Sequence, residues 1–101
     1  HKKALMKNLA TALLKYGRIE TTTAKAKELR PYVEKIITRA KIDSVSNRRL
    51  IAQTITEKSV LKKLFTEIGP KYADRKGGYL RILKVGIRPS DSAEISIIEM
   101  V

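Results

Sequence analysis

The chain has 101 residues, enough for one modest hydrophobic core and too few for two, so residues 1–101 are expected to form a single domain. Its 22 Lys and Arg against 10 Asp and Glu leave a formal charge of +12, which makes a polyanion the expected partner, nucleic acid ahead of an anionic membrane surface. Cysteine is absent, which excludes a disulfide scaffold, a thiolate metal site and a cysteine nucleophile, and no apolar run approaches the ~20 residues of a membrane span.

The start, HKKALMKNLATALL, has the basic-then-apolar order of a targeting peptide, but Lys7 and Asn8 interrupt the apolar run. A folded helix is therefore expected from about Lys2 to Tyr16, with Leu5, Leu9, Ala12, Leu13 and Tyr16 on its inner side and Gly17 as its stop. Because the sequence opens on His1 rather than Met, residues upstream of it are also expected. Arg18 to Thr22 reads as a short strand. Thr22 or Thr23 should cap a second helix, whose apolar seam is Ala26, Leu29, Val33, Ile36, Ile37 and Ala40. Pro31 lies inside that seam and removes an intrahelical hydrogen bond, at a cost of about 3 kcal/mol in a helix interior, so a kink or a late-starting regular helix is expected.

Asp43 or Ser44 should cap a third helix running to about Thr54, with Leu50 and Ile51 turned inward. A fourth begins near Thr56, buries Val60, Leu61, Leu64, Phe65 and Ile68, and should end at Gly69-Pro70. Tyr79 to Ile87 then reads as the central strand of a small sheet, Pro89 to Ser92 as a turn, and Glu94 to Val101 as a last strand forming a hairpin with it. The result is an α+β fold in two layers, helices packed on a three-stranded sheet, in the order α-β-α-α-α-β-β.

Charge is distributed unevenly along this layout. Residues 1–18 carry five bases and no acid, whereas residues 89–101 carry Asp91, Glu94 and Glu99 and no base. The first end is expected to face the partner and the last end to face away from it. The richest stretch is Gly69 to Arg88, where Lys71, Arg75, Lys76, Arg81, Lys84 and Arg88 stand against the single acid Asp74. Its Gly77-Gly78 pair would let backbone approach phosphate closely, and Tyr72 and Tyr79 could stack on bases or fill the core. Arg81 and Lys84 have opposite parity and should point to opposite faces of a regular strand.

Arg18, Lys25, Lys27 and Arg30 form a second cluster where a strand meets a helix N-terminus, whose free amides and dipole favour phosphate. Arg48 and Arg49 are about 100° apart on a helix, so at most one squarely faces a given groove. Lys2, Lys3 and Lys7 make the first helix basic. Lys15, Lys35 and Arg39, and on its own terms Lys7, lie on faces that any soluble helix fills with solvated charge.

These motifs together give the chain a family likeness. Through TTTAKAKELR at 21–30, the Arg48-Arg49 pair, LFTEIGPKYADRKGGYLRILK at 64–84 and the Ile-Ile-Glu ending near Val101, it resembles the bacterial-type ribosomal protein L17 family over nearly its whole length. The resemblance implies a structural ribosomal RNA-binding protein of the large subunit, without catalytic activity or cofactor, in the cytoplasmic ribosome or an organellar one. It also implies a place on the solvent side near the exit region, with ribosomal protein L32 and other large-subunit proteins as neighbours. Lys2, Lys3, Lys7, Arg18, Lys25, Lys27, Arg30, Arg48, Arg49, Lys71, Arg75, Lys76, Gly77, Gly78, Tyr79, Arg81, Lys84 and Arg88 are the expected RNA-binding residues.

Two other classes compete with this reading. The second and third helices could form a DNA-binding helix-turn-helix, with Asn47, Arg48 and Gln53 as its base-reading side chains. A metal-dependent nuclease would need converging carboxylates, and Asp74 and Glu20 are isolated in sequence. His1, the single histidine, reads as part of the basic helix start rather than a ligand, and no HxxxH-type spacing or nucleophile motif occurs.

Overall fold

The computed structural model describes residues 2–101, and His1 lies outside them. The elements are α1 (Lys2–Tyr16), β1 (Arg18–Thr22), α2 (Thr23–Ala40), α3 (Val45–Ala52), α4 (Lys58–Lys63), a π turn (Leu64–Ile68), α5 (Gly69–Lys71), β2 (Leu80–Ile87) and β3 (Glu94–Met100). The sheet is antiparallel throughout, in the order β1-β3-β2, and no helix among the described residues is long and apolar enough to cross a membrane. This is the expected two-layer α+β arrangement, with one correction. β3, not β2, is the central strand, because the run Ile95 to Ile98 supplies the residues that can be covered from both sides, and basic β2 takes an edge.

Local chemistry fixes the helix ends. Gly17 adopts φ 83°, a left-handed conformation costly for a side chain, and its N–H returns to the Leu13 carbonyl at 2.8 Å, closing α1. Thr22 is the N-cap of α2, accepting from the Lys25 N–H at 3.3 Å. Thr23 instead turns inward, and its hydroxyl meets that of buried Ser96 on β3 at 2.6 Å. Ser44 caps α3 through the Asn47 N–H at 3.1 Å, and α3 ends at Ala52, short of the expected Thr54.

The buried face of α1 is rotated from the expected one. Ala10, Leu13 and Leu14 are fully buried, with Met6 and Leu9 packed against them, while Leu5 and Tyr16 are exposed. The set Met6, Ala10, Leu13, Leu14 has helical spacing too, and it is the one that docks on α2 and β1. On α3, Ile51 is buried as expected but Leu50 is exposed. α2 runs unbroken through Pro31. Pro31 and Lys27 are both exposed, so water can satisfy the Lys27 carbonyl that the proline leaves without its usual donor.

The fourth helix does not stop at Gly69-Pro70. Its π turn is closed by the Gly69 N–H bonding back to the Leu64 carbonyl, and α5 follows directly. Widening of the helix beside Pro70 accommodates a residue that has no N–H to contribute. Gly69 is needed for closeness rather than for a turn, because a Cβ there would lie 2.6 Å from the Ala40 carbonyl oxygen. α5 and the end of α2 are thereby pressed together.

One core joins the layers, from Ala10 and Leu14 through Leu29, Val33 and Ile37 to Leu64, Leu80 and Ile98, each large side chain contributing about 1.5–3 kcal/mol by leaving water. We expect Gly69→Ala to lower stability by about 1–3 kcal/mol, since the clash with rigid backbone outweighs alanine's better helix propensity. Chemical denaturation at equilibrium would measure it, and an unchanged or raised midpoint would contradict the close packing of α5 on Ala40.

Candidate nucleic-acid interface

The loop between α5 and β2 is tied to α2 by Tyr79. Its backbone N–H donates to Glu34 Oε1 at 2.9 Å, and its hydroxyl lies 3.2 Å from the Thr38 hydroxyl and 3.3 Å from the Arg75 carbonyl. The ring is fully buried, tilted 53° against Tyr72 with centroids 5.1 Å apart. Lys41 closes the other side, its Nζ 4.7 Å from the ring centre and donating to the Arg75 carbonyl. Tyr72 is buried as well and donates its hydroxyl to the Val101 carbonyl at 2.7 Å. Of the two roles open to them in the sequence, stacking on bases or filling the core, both tyrosines take the core, and neither offers a face to a base. They hold the loop instead.

Between those anchors the chain makes its glycine turn. Gly78 takes φ 66°, and Arg75 folds over the turn, its guanidinium donating to the Gly78 carbonyl at 3.1 Å. The turn brings Lys76, Gly77 and Gly78 opposite the exposed face of α2, and Arg30, Pro31, Glu34, Lys35, Thr38 and Arg39 complete an open concavity of about 690 Å³. Four cations thus surround one acid, and that acid already accepts from Tyr79. Arg30, Lys35, Arg39 and Lys76 have no carboxylate partner among the described residues. A hollow with this excess of cations beside exposed glycine backbone has the chemistry that suits phosphate. Lys35 and Arg39, read from sequence as ordinary solvated charge, are part of it, and only the fold of the loop onto α2 brings them there.

The remaining expected residues separate into two groups. Lys2, Lys3 and Lys7 are exposed at the start of α1, and Lys25 and Lys27 are exposed on the first turns of α2, again without carboxylate partners among the described residues. Arg49 on α3 and Lys71 on α5 are likewise exposed, Lys71 lying 5.2 Å from the Tyr72 ring centre. The cations of the sheet are different. Arg81 donates to Glu99 at 2.8 Å, Lys84 lies 3.9 Å from Glu94, and Arg88 grips Asp91 with two bonds of 2.9 and 2.7 Å. Arg18 approaches the same Glu99 at 4.0 Å. The acids of the last segment neutralise the cations of the hairpin beside them. The register places Arg81 opposite Glu99 and Lys84 opposite Ser96, on opposite faces of the sheet as their parity required.

α3 uses up two of the three side chains that a helix-turn-helix would aim at bases, Asn47 and Arg48, and Gln53 lies exposed at its C-terminal end. Arg48 is held by both oxygens of Asp43 at 2.5 and 2.8 Å and lies 5.1 Å from the Phe65 ring centre. Asn47 Nδ2 donates to the Arg39 and Ile42 carbonyls at 3.2 and 2.8 Å. No group of three or more acids or histidines is placed to hold a metal ion among the described residues.

Comparison with known proteins gives the same direction. The family model described as Ribosomal protein L17 matches residues 5–101. The protein called large ribosomal subunit protein bL17 in Erythrobacter litoralis is 54% identical over 101 residues, covering all of this chain and 72% of that relative. Its namesakes in Borrelia hermsii and Treponema denticola are each 50% identical over the same 101 residues. The chain spans 82% of the Borrelia protein and 56% of the Treponema one.

The ion pairs of the hairpin can be read by titration. The Arg88 guanidinium, and after it the Ala93 N–H, hold the Asp91 carboxyl down from its usual 3.8 to about 2. Because the folded value is depressed, the contribution of this pair to stability is complete above the ordinary carboxyl range and lost as pH falls through about 2. NMR titration of Asp91 is expected to show that low midpoint, and Arg88→Gln to raise it. A midpoint unmoved by Arg88→Gln would mean that the pair does not form in solution.

Proposed function

The chain belongs to the ribosomal protein L17 family, structural and non-enzymatic constituents of the large ribosomal subunit, and from that premise we propose that it clamps folded ribosomal RNA through its unpaired cations. The observation that carries this reading is the concavity between α2 and the Gly77-Gly78 turn, where Arg30, Lys35, Arg39 and Lys76 outnumber the one acid, Glu34, and have no carboxylate partner among the described residues. Lys25 and Lys27 extend the same exposed face of α2 toward its N-terminus, where free amides add to the attraction for phosphate. Lys2, Lys3 and Lys7 form a second basic surface on α1.

Recognition of this kind acts on backbone shape and charge rather than on base identity. Cations on α1, α2 and the loop are held in fixed relation by one core, which supports treating residues 1–101 as a single domain that fastens separate RNA segments together. Neighbouring large-subunit proteins are the second class of partner, L32 being the one that the family resemblance names.

The test compares two triple substitutions that remove equal charge. Lys35, Arg39 and Lys76 changed to Gln should weaken binding to large-subunit RNA and flatten the slope of log K against log salt by roughly 0.7 to 0.9 for each phosphate no longer neutralised. Arg81, Lys84 and Arg88 changed to Gln should have a much smaller effect, provided circular dichroism shows both variants folded. Equal losses would mean that diffuse charge, not this hollow, binds the RNA.

A further inference from the structure

We propose that Tyr32 is a base-stacking residue, and that the hollow between α2 and α3 takes one unpaired nucleobase of the RNA strand whose phosphates the neighbouring cations hold. Pro31, Lys35 and Arg39 follow one another at four-residue spacing and form a single row along α2. That row is a ridge with a hollow on each side. On one side lies the hollow closed by the Gly77-Gly78 turn, and on the other a hollow of about 490 Å³ to which Tyr32, Ile36, Leu50 and Ile51 give an apolar lining. Lys35 and Arg39 line both. Tyr32 is partly exposed and also lines a third hollow, of about 540 Å³, with Met6 and with Lys2, Lys3 and Lys7 of α1. The two basic surfaces are thereby continuous, and the Tyr32 ring lies between them.

The chemistry of the middle hollow selects a base over a phosphate. Besides its apolar lining it contains an acid, Glu28, that forms no ion pair among the described residues. A carboxylate repels phosphate but accepts from the amino group of a base, and Gln53, in the same hollow, can both donate and accept. Aromatic rings flanked by unpaired cations grip a single strand without sequence selection, phosphates on the charges and bases on the rings. Of the other tyrosines, Tyr72 and Tyr79 are buried, and Tyr16 stands beside Lys15, which Glu57 already pairs. Tyr32 is the tyrosine that joins partial exposure to unpaired cations on both sides.

The site rests on the RNA clamp proposed above, and the two can fail separately. If the Lys35, Arg39 and Lys76 triple variant binds large-subunit RNA as tightly as the unmodified chain, the clamp fails and the base site with it. If that variant is weakened and Tyr32→Leu is not, the base site alone fails. Tyr32→Leu keeps apolar bulk against the core and removes the ring. With circular dichroism unchanged, it should weaken binding to large-subunit RNA at least about fivefold, and the slope of log K against log salt should stay the same because no phosphate contact is lost. Tyr32→Phe, which keeps the ring, should bind within about twofold of the unmodified chain. A second measurement does not depend on any variant folding: in large subunits containing the unmodified chain, ultraviolet irradiation followed by ribonuclease and mass spectrometry should find a nucleotide adduct on Tyr32. Loss by Tyr32→Phe equal to that by Tyr32→Leu, a slope lowered by Tyr32→Leu, or no nucleotide adduct on Tyr32 would each overturn the proposal. An adduct between Tyr32 and another polypeptide would assign the hollow to protein and overturn it as well.

Discussion

Tyr79 determines where the basic loop lies. Its N–H on Glu34, its hydroxyl between Thr38 and Arg75, and its ring under Lys41 fasten the segment after α5 to the middle of α2. A buried tyrosine needs a partner for its hydroxyl, and this one has partners on both elements that it joins. Removed from that anchor, Lys76 and the glycine turn would have no fixed relation to Arg30, Lys35 and Arg39. The same tyrosine sets the start of β2, whose first residue, Leu80, is buried and opens the pairing with Met100. One side chain thus positions both the hollow and the hairpin.

From there the fold sorts a large positive charge into two kinds. Acids from the end of the chain meet the cations of β2 and the hairpin turn, pair by pair. Exposed pairs of this sort contribute little to stability, but they remove those cations from competition for an external anion. α2 and the loop carry Glu28, Glu34 and Asp74, none of which forms an ion pair among the described residues, and Glu34 serves Tyr79. The unpaired cations are therefore concentrated on the helical side and the loop rather than on the hairpin.

Much of this was legible in the sequence. Caps and stops placed β1, α2 and α3 within a few residues, because Gly17, Thr22 and Ser44 act through local backbone chemistry. The hairpin and the layer order followed from strand-forming segments on either side of a turn. The π turn and the passage of the helix through Gly69-Pro70 were not legible, since the glycine there answers to Ala40, distant in sequence, and not to a change of direction. The face of α1 was misread for a related reason: two apolar sets with helical spacing overlap, and only the position of α2 and β1 selects between them. In the candidate site, Lys76, Gly77, Gly78 and Arg30 were visible as residue types suited to phosphate. Lys35 and Arg39 were not, and Arg81 and Lys84 looked freer than they are, because both judgements depend on cross-chain neighbours.

Everything proposed for RNA binding depends on the division between unpaired cations on the helical side and paired ones on the hairpin. Lysine acetylation by a small reagent, read residue by residue by mass spectrometry with and without large-subunit RNA, tests that division directly. Lys35, Lys76 and Lys27 should lose reactivity when RNA binds, while Lys84 should keep the reactivity it has in the free protein. Protection of Lys84 with Lys35 and Lys76 still reactive would place the RNA on the hairpin and contradict that division.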